Sequence, residues 1–150
     1  MSKTWKSVEL RIAKAFGTAR TPLSGSNSRH TSSDTLHSKL YIEIKHGSSS
    51  LVTTIYGKMT KNTLLVIPDD RLKGELLAGV HNDTLHKSVA TEIVHYGRKN
   101  LALVQLWLNT IGKAKNESKI PVICIHATGK HGFLIFTYPK HLGFVKSCMV

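Results

Sequence analysis

Two carboxylates and a lysine stand close together between Ser32 and Ser50, in SSDTLHSKLYIEIKHGSSS. Asp34 is followed nine residues later by Glu43, which lies with Lys45 in an apolar run. Hard divalent cations such as Mg²⁺ bind through one or two protein carboxylates together with waters and phosphate oxygens, so Asp34 and Glu43 have suitable chemistry and number. Lys45 could orient or deprotonate an attacking water and offset transition-state charge. Together these residue types suit phosphodiester hydrolysis.

An alternative interpretation gives the same residues a structural role. Glu43 and Lys45 would form a surface ion pair on an exposed strand face, and Asp34 would be a turn or cap residue. The E-x-K triplet does not decide between the two interpretations by itself, so the elements that carry these residues matter.

The first element is an amphipathic helix from Lys3 to Phe16. Its apolar residues recur at helical spacing: Trp5, Val8, Ile12, Ala15 and Phe16. Basic residues, Lys6 among them, face away from this stripe. Glu9 is the sole acid of the helix and borders the stripe, so it can point toward the sheet. Gly17 and a Ser/Thr-rich loop follow.

The second element is a strand, KLYIEIK, with alternating faces. Leu40, Ile42 and Ile44 share one face, and Tyr41, Glu43 and Lys45 share the other. Because a short turn connects Asp34 to this strand, we expect Asp34, Glu43 and Lys45 to gather near one sheet edge, with Glu9 approaching from the helix.

The rest of the chain predicts an α/β domain. Helical spacing returns from Leu101 to Ala114, and IPVICIHA and FLIFTY are expected to pair as a hairpin through the turn TGKHG. In residues 51 to 100, NTLLVIPDD predicts a buried strand and DRLKGELLAG a short helix, whereas SLVTTIYGKMT and SVATEIVHYG are ambiguous.

Composition narrows the class of partner. The 150 residues suit a single domain, and 21 Lys and Arg against 9 Asp and Glu give a net charge of +12. Such a charge favours polyanions, with nucleic acid first. A membrane partner is not expected because no apolar run approaches the roughly 20 residues of a spanning helix. With no secretory signal and no metal-type spacing of Cys124 and Cys148, we expect an intracellular, cytoplasmic protein with inert cysteines.

The combination of Glu9, Asp34 and the strand Glu43-Ile44-Lys45 resembles the PD-(D/E)XK nuclease superfamily. Within it, ELRIAKAFGTARTPLSGSNSRHTSSD followed by LYIEIK is similar to Holliday junction resolvases of archaeal type and their phage relatives. The resemblance covers roughly residues 5 to 50 and 101 to 136. It implies a restriction-endonuclease-like core, in which a mixed central sheet is flanked by helices, within one domain of residues 1 to 150. Residues 52 to 98 would be an insertion.

The resemblance also implies roles for individual residues. Asp34 and Glu43 would bind Mg²⁺ or Mn²⁺, with the backbone carbonyl of Ile44 as a third ligand. Lys45 would be the catalytic lysine, and Glu9 a partner of the metal or of water. Further residues are expected at the DNA, the first three through the resemblance and the others through their charge and position: Arg20, Ser24, Ser26, Arg29, His30 and Lys6.

One departure from the family pattern lies inside the motif, because Ser33 stands where a proline usually precedes the aspartate. The proline has no chemical role, so Ser33 should matter little. The predicted function is a metal-dependent endonuclease that resolves four-way DNA junctions as a homodimer, and the protein would be intracellular, with a phage as one candidate source. One alternative is a nuclease of the same fold acting on flaps or other DNA structures. Another is a basic nucleic-acid-binding protein without catalysis, although such a protein gains nothing from placing three acids where phosphate approaches.

Overall fold

The computed structural model describes residues 2–22, 31–49, 52, 63–68, 70–72, 76–81, 92–95, 101–129 and 132–150. Within these ranges the longer helices are α1 (Ser2–Ala15) and α2 (Leu101–Asn116), and a short α3 (Leu142–Ser147) ends the chain. The strands are β1 (Leu40–Gly47), β2 (Thr63–Pro68), β3 (Leu76–His81), β4 (Glu92–His95), β5 (Ile120–Ala127) and β6 (Leu134–Thr137).

All of these strands belong to one mixed sheet. Its order is β1-β5-β6-β3-β2-β4. The pairs β1/β5 and β2/β4 are parallel, whereas β5/β6, β6/β3 and β3/β2 are antiparallel. The predicted mixed α/β class and the β5/β6 hairpin are therefore confirmed. The segment between β1 and α2 contributes β2, β3 and β4 to the same sheet.

The side chains of β1 alternate between the two faces of the sheet as predicted. Leu40, Ile42 and Ile44 are buried in a core that includes Val8 and Ile12 of α1. Glu43 and Lys45 consequently lie on the opposite face of β1.

The opposite face of the sheet is covered by α2. Leu103, Val104 and Trp107 of this helix are buried with Ile123 and Ile125 of β5. The helix also contacts β1. The face of β1 that carries Glu43 is therefore the face on which α2 packs.

The prediction of a short helix in DRLKGELLAG is wrong in its second half. A 3-10 turn occupies Asp70–Leu72, but Leu76–His81 is a strand. Pairing with β2 and β6 overrides the local preference, and Gly79 suits this position because a Cβ there would lie 2.1 Å from the ring of Phe136. SLVTTIYGKMT lies outside the described residues except for Val52, and SVATEIVHYG contains β4.

A second correction concerns α1, whose apolar stripe was expected to be buried throughout. Val8, Ile12 and Phe16 are buried, but Trp5 remains 36% exposed. Trp5 lies one turn before Val8, and its ring is covered in part by Arg20 instead of by the sheet. Within the described ranges, no helix has the length and apolar character needed to cross a membrane.

Candidate functional site

Asp34 is fixed to the outer edge of β1 by its backbone and its side chain. The Asp34 N–H donates to the Ile42 carbonyl (3.0 Å), and the Thr21 N–H donates to the Asp34 carbonyl (3.0 Å). The Ile44 N–H donates to Asp34 Oδ2 at 2.8 Å. Two of these hydrogen bonds join Asp34 to β1, one through its backbone and one through its carboxylate, and the third joins it to Thr21.

Ser33, which directly precedes Asp34, contributes to the same attachment. Its hydroxyl accepts a hydrogen bond from the Ile42 N–H (2.9 Å) and donates to the Ile42 carbonyl (3.1 Å). A hydroxyl is both donor and acceptor, so Ser33 satisfies both edge groups of Ile42. Ser33 thus helps to hold Asp34 in place.

The carboxyl groups of Asp34 and Glu43 lie close enough to share a hydrogen bond when one of them is protonated. Burial raises the pKa of Glu43 to about 7, and the negative charge of Asp34 adds to the rise, while Lys45 and Lys113 oppose it. Burial likewise raises the pKa of Asp34, against the hydrogen bond from Ile44. Two half-buried carboxylates this close are costly to ionise together, so the arrangement favours a bound cation.

Two lysines face this pair of carboxylates. Lys45 is exposed and shares a face of β1 with Glu43. Lys113, in the last turn of α2, interacts electrostatically with both Asp34 and Glu43. Lys113 was not among the predicted site residues, because its approach depends on how α2 packs over β1.

Glu9 approaches from α1 and is paired with Arg20. Arg20 Nε lies 2.7 Å from Glu9 Oε1, with side chains 21% and 13% exposed. Burial and the charge of Asp34 raise the pKa of Glu9, while Arg20 lowers it. Arg20 reaches this place because its backbone forms an antiparallel bridge with Thr35. The arginine predicted to meet DNA is therefore also the counter-ion of Glu9.

Glu117, just after α2, holds the segment that carries Asp34. It accepts hydrogen bonds from the Thr31 hydroxyl, the Ser32 N–H (3.0 Å) and the Ser32 hydroxyl (3.0 Å). The Ser32 hydroxyl also lies 2.7 Å from the Tyr41 hydroxyl. Burial raises the pKa of Glu117, but these bonds and Lys119 outweigh it, so the pKa is lower than usual. Glu117 was not among the predicted site residues either.

The donor set at the β1 edge fits a hard divalent cation. In an extended strand the N–H and C=O of one residue point to the same side, so the carbonyl of Ile44 projects toward the side where Asp34 lies. Asp34, Glu43 and this carbonyl are oxygen donors of the kind that Mg²⁺ accepts together with waters. Among the described residues, no three His, Cys, Asp or Glu side chains form a metal-binding group.

Other predicted site residues are placed as follows. Lys6 is exposed on α1, and its Nζ lies 5.9 Å from the Trp5 ring centroid. Beside these predicted residues, His46, which follows Lys45, has its Nδ1 2.8 Å from Nδ1 of His126 on β5. Four predicted DNA-binding residues lie outside the described residues: Ser24, Ser26, Arg29 and His30.

Comparisons of the chain with protein-family models, curated proteins and solved structures found no match. The function is therefore assigned from the site itself. The described residues bring together Glu9, Arg20, Asp34, Glu43 and Lys45 at one edge of the sheet.

Proposed function

We propose that this protein is a metal-dependent DNA endonuclease of the PD-(D/E)XK type that cuts four-way junctions. The observation that carries the proposal is the pairing of Asp34 and Glu43 at the edge of β1, with Lys45 and Lys113 beside them. A surface ion pair between Glu43 and Lys45 would not require a second acidic residue, Asp34, attached to β1 by its backbone and by its carboxylate. That second carboxylate is what a metal site needs.

Each residue has a distinct part in hydrolysis. Asp34, Glu43 and the Ile44 carbonyl hold Mg²⁺ or Mn²⁺, which supplies polarisation of the scissile phosphate and a lowered pKa of bound water. Lys45 orients the attacking water and offsets charge that develops on the phosphoryl oxygens. Glu9, neutralised in part by Arg20, accepts a hydrogen bond from water near Asp34.

The charge of the chain supports a polyanionic substrate. Its net charge is +12, and Lys6, Arg11 and Lys14 are exposed on the helix that carries Glu9. Cations on this surface bind phosphates by displacing condensed counterions. The acids that face the substrate are those of the cluster, and a metal ion would neutralise them.

The test compares labelled four-way junction, flap and linear duplex with Mg²⁺ and with EDTA. Asp34→Asn and Glu43→Gln should abolish cleavage while DNA binding persists, because each removes a metal ligand and a negative charge. Lys45→Ala should lower the rate by about two to three orders of magnitude. Asp70→Asn is the matched control, since it removes one acid from the 3-10 turn after β2, four strands from β1.

The outcomes separate the alternatives. Preferential cleavage of flaps would indicate a nuclease of the same kind with another substrate. Binding without cleavage by the wild type under all metals would indicate a DNA-binding protein without catalysis. Cleavage by Asp34→Asn or Glu43→Gln at the wild-type rate would exclude the proposed site.

A further inference from the structure

Trp5 is an exposed aromatic ring flanked by two cations. The guanidinium carbon of Arg20 lies 5.1 Å from its ring centroid, and Nζ of Lys6 lies 5.9 Å from it. The side chain is 36% exposed, whereas Trp107, the other tryptophan, is fully buried. Core packing therefore does not account for Trp5.

The ring is connected to the candidate active site through Arg20. The same guanidinium that covers Trp5 places its Nε 2.7 Å from Glu9 Oε1. Trp5 and Glu9 are four residues apart on α1, so about 6 Å of helix rise separates them. Glu9 in turn lies close enough to Asp34 to feel its charge. A ligand on Trp5 would lie one helical turn from the cluster.

The chemistry of this surface fits a nucleotide base next to phosphate. Aromatic side chains in a basic groove stack unpaired bases with little sequence preference, because each base presents a π face. Bases within a duplex are already stacked on their neighbours and present no free face. Lys6 and Arg20 supply the charge that phosphates on either side of the base would need.

We propose that Trp5 is a stacking platform for an unpaired base adjacent to the phosphate that is cut. The inference rests on the proposed function in taking DNA as the substrate, and it adds the structural feature that the protein selects. Arg20 then has two tasks, since it keeps the Trp5 ring in position and neutralises Glu9. The preferred substrates are branched DNAs in which a base is unpaired or can be splayed at the branch.

Binding is measured in EDTA, so that no cleavage occurs, with a duplex and with the same duplex carrying an unpaired nucleotide at a branch. Fluorescence of wild type should be quenched more strongly by the unpaired base, and Trp107, being buried, should contribute little to the change. Trp5→Ala should weaken binding of the branched DNA about tenfold or more and of the duplex by less than about twofold, whereas Trp5→Phe should retain most of the affinity. Leu10→Ala is the control, because Leu10 is 45% exposed on the same helix.

A second arm begins with the wild type alone, so its first measurement does not depend on whether a variant folds. Replacing the unpaired nucleotide by an abasic site should weaken wild-type binding by the same factor as Trp5→Ala, and combining the two changes should add little. Equal loss for duplex and branched DNA, no quenching, or full affinity for the abasic DNA would overturn the proposal. So would a change of oligomeric state on Trp5→Ala, which would identify a second copy as the occupant.

Failure of this inference and failure of the endonuclease proposal are distinguishable. If the wild type cuts junctions with Mg²⁺ while Trp5→Ala binds and cuts them equally well, the stacking inference alone is wrong. If Trp5 selects unpaired bases but no DNA is cut, the stacking inference stands and the endonuclease proposal is wrong.

Discussion

Glu117 binds the backbone of Ser32, accepting its N–H at 3.0 Å across 85 positions of sequence. Ser32 lies two residues before Asp34, so the end of α2 helps to determine where the Asp34 carboxylate lies. Glu117→Gln should therefore lower the free energy of unfolding by about 1.5 to 3 kcal/mol, the range for hydrogen bonds to a charged acceptor. Cleavage should fall through kcat with DNA affinity unchanged.

The pH dependence of this variant provides the control. Because the pKa of Glu117 is lower in the folded protein than its usual value of 4.5, its ionised form stabilises the fold above that pH. The stabilisation is lost as the pH falls through the lowered pKa. The stability difference between wild type and Glu117→Gln should thus shrink in acid when followed by urea denaturation. A difference that is constant with pH would contradict this role.

Glu43 should destabilise the metal-free protein. Its folded pKa is raised from 4.5 to about 7, so the folded state binds the proton more tightly than the unfolded chain does. Stability of wild type in EDTA should consequently fall as the pH rises from 4.5 to 7. Glu43→Gln lacks this penalty and should be more stable by about 1 to 3 kcal/mol at pH 8.

Mg²⁺ should reverse the order of stability between wild type and Glu43→Gln. Mg²⁺ should raise the Tm of wild type and leave that of Glu43→Gln nearly unchanged, since a ligand stabilises the state that binds it. Calorimetry at pH 8 with EDTA and with Mg²⁺ measures both effects without DNA. A Glu43→Gln protein less stable than wild type in EDTA would show that the two carboxylates do not repel.

Lys113 should assist cleavage from α2. Its charge acts on both Asp34 and Glu43, where phosphate oxygens would approach. Lys113→Ala should lower the single-turnover rate about tenfold or more. Lys115→Ala is the control, because Lys115 lies on the same turn of helix but lines a groove with Leu108 and Tyr138. Equal rates for the two variants would remove Lys113 from the site.

The main elements were predictable because their signals are local. Alternation in β1 and helical spacing in α1 and α2 each lie within one element, and the structure follows them. The strand β3 was not predicted, since its pairing with β6 involves residues more than fifty positions away. The exposure of Trp5 was not predicted, because periodicity shows which residues share a face of the helix but not how far along the helix the core extends.

The candidate site also contains residues that were predictable from local sequence and residues that were not. Asp34, Glu43 and Lys45 lie on a short stretch of chain, so their spacing and the strand period suffice to bring them together. Lys113 and Glu117 come from the other end of the sequence and approach through the packing of α2. Predicting their contribution requires knowing which strand lies beneath α2, and the spacing of residues in the sequence does not show this.

Salt should weaken DNA binding strongly. The slope of log K against log salt is about −0.9 for each phosphate neutralised, so Lys6→Ala should reduce its magnitude by about 0.9 if Lys6 binds one phosphate. Arg20→Ala should also flatten the slope, but it frees the charge of Glu9 and is harder to interpret. Fluorescence anisotropy across a salt series, with Lys140→Ala as control, measures this. A slope near zero would contradict the proposal that cationic side chains of the protein bind the phosphates of DNA.

The last prediction concerns symmetry. A four-way junction has approximate two-fold symmetry, and its resolution requires cuts in two opposed strands. A two-fold homodimer with one candidate active site per chain can make both cuts. The apolar faces of α2 and β6 do not supply the dimer interface, because Leu103, Val104 and Trp107 of α2 are buried in the monomer core, as are Leu134 to Phe136 of β6. A groove of about 470 Å³, lined by apolar side chains such as Ile111, remains beside α2.

We expect a homodimer by sedimentation and symmetric nicks with ligatable 5′-phosphate ends on a mobile junction. A decisive form of the experiment uses mixed dimers of wild type and Glu43→Gln, purified through two different tags. Because Glu43→Gln removes a metal ligand from one chain only, such a dimer should nick a plasmid cruciform in one strand, whereas the wild-type dimer should linearise the plasmid within one binding event. A monomer in solution, or a mixed dimer that linearises the cruciform at the wild-type rate, would contradict paired cleavage and favour a nuclease that cuts single strands of another branched DNA.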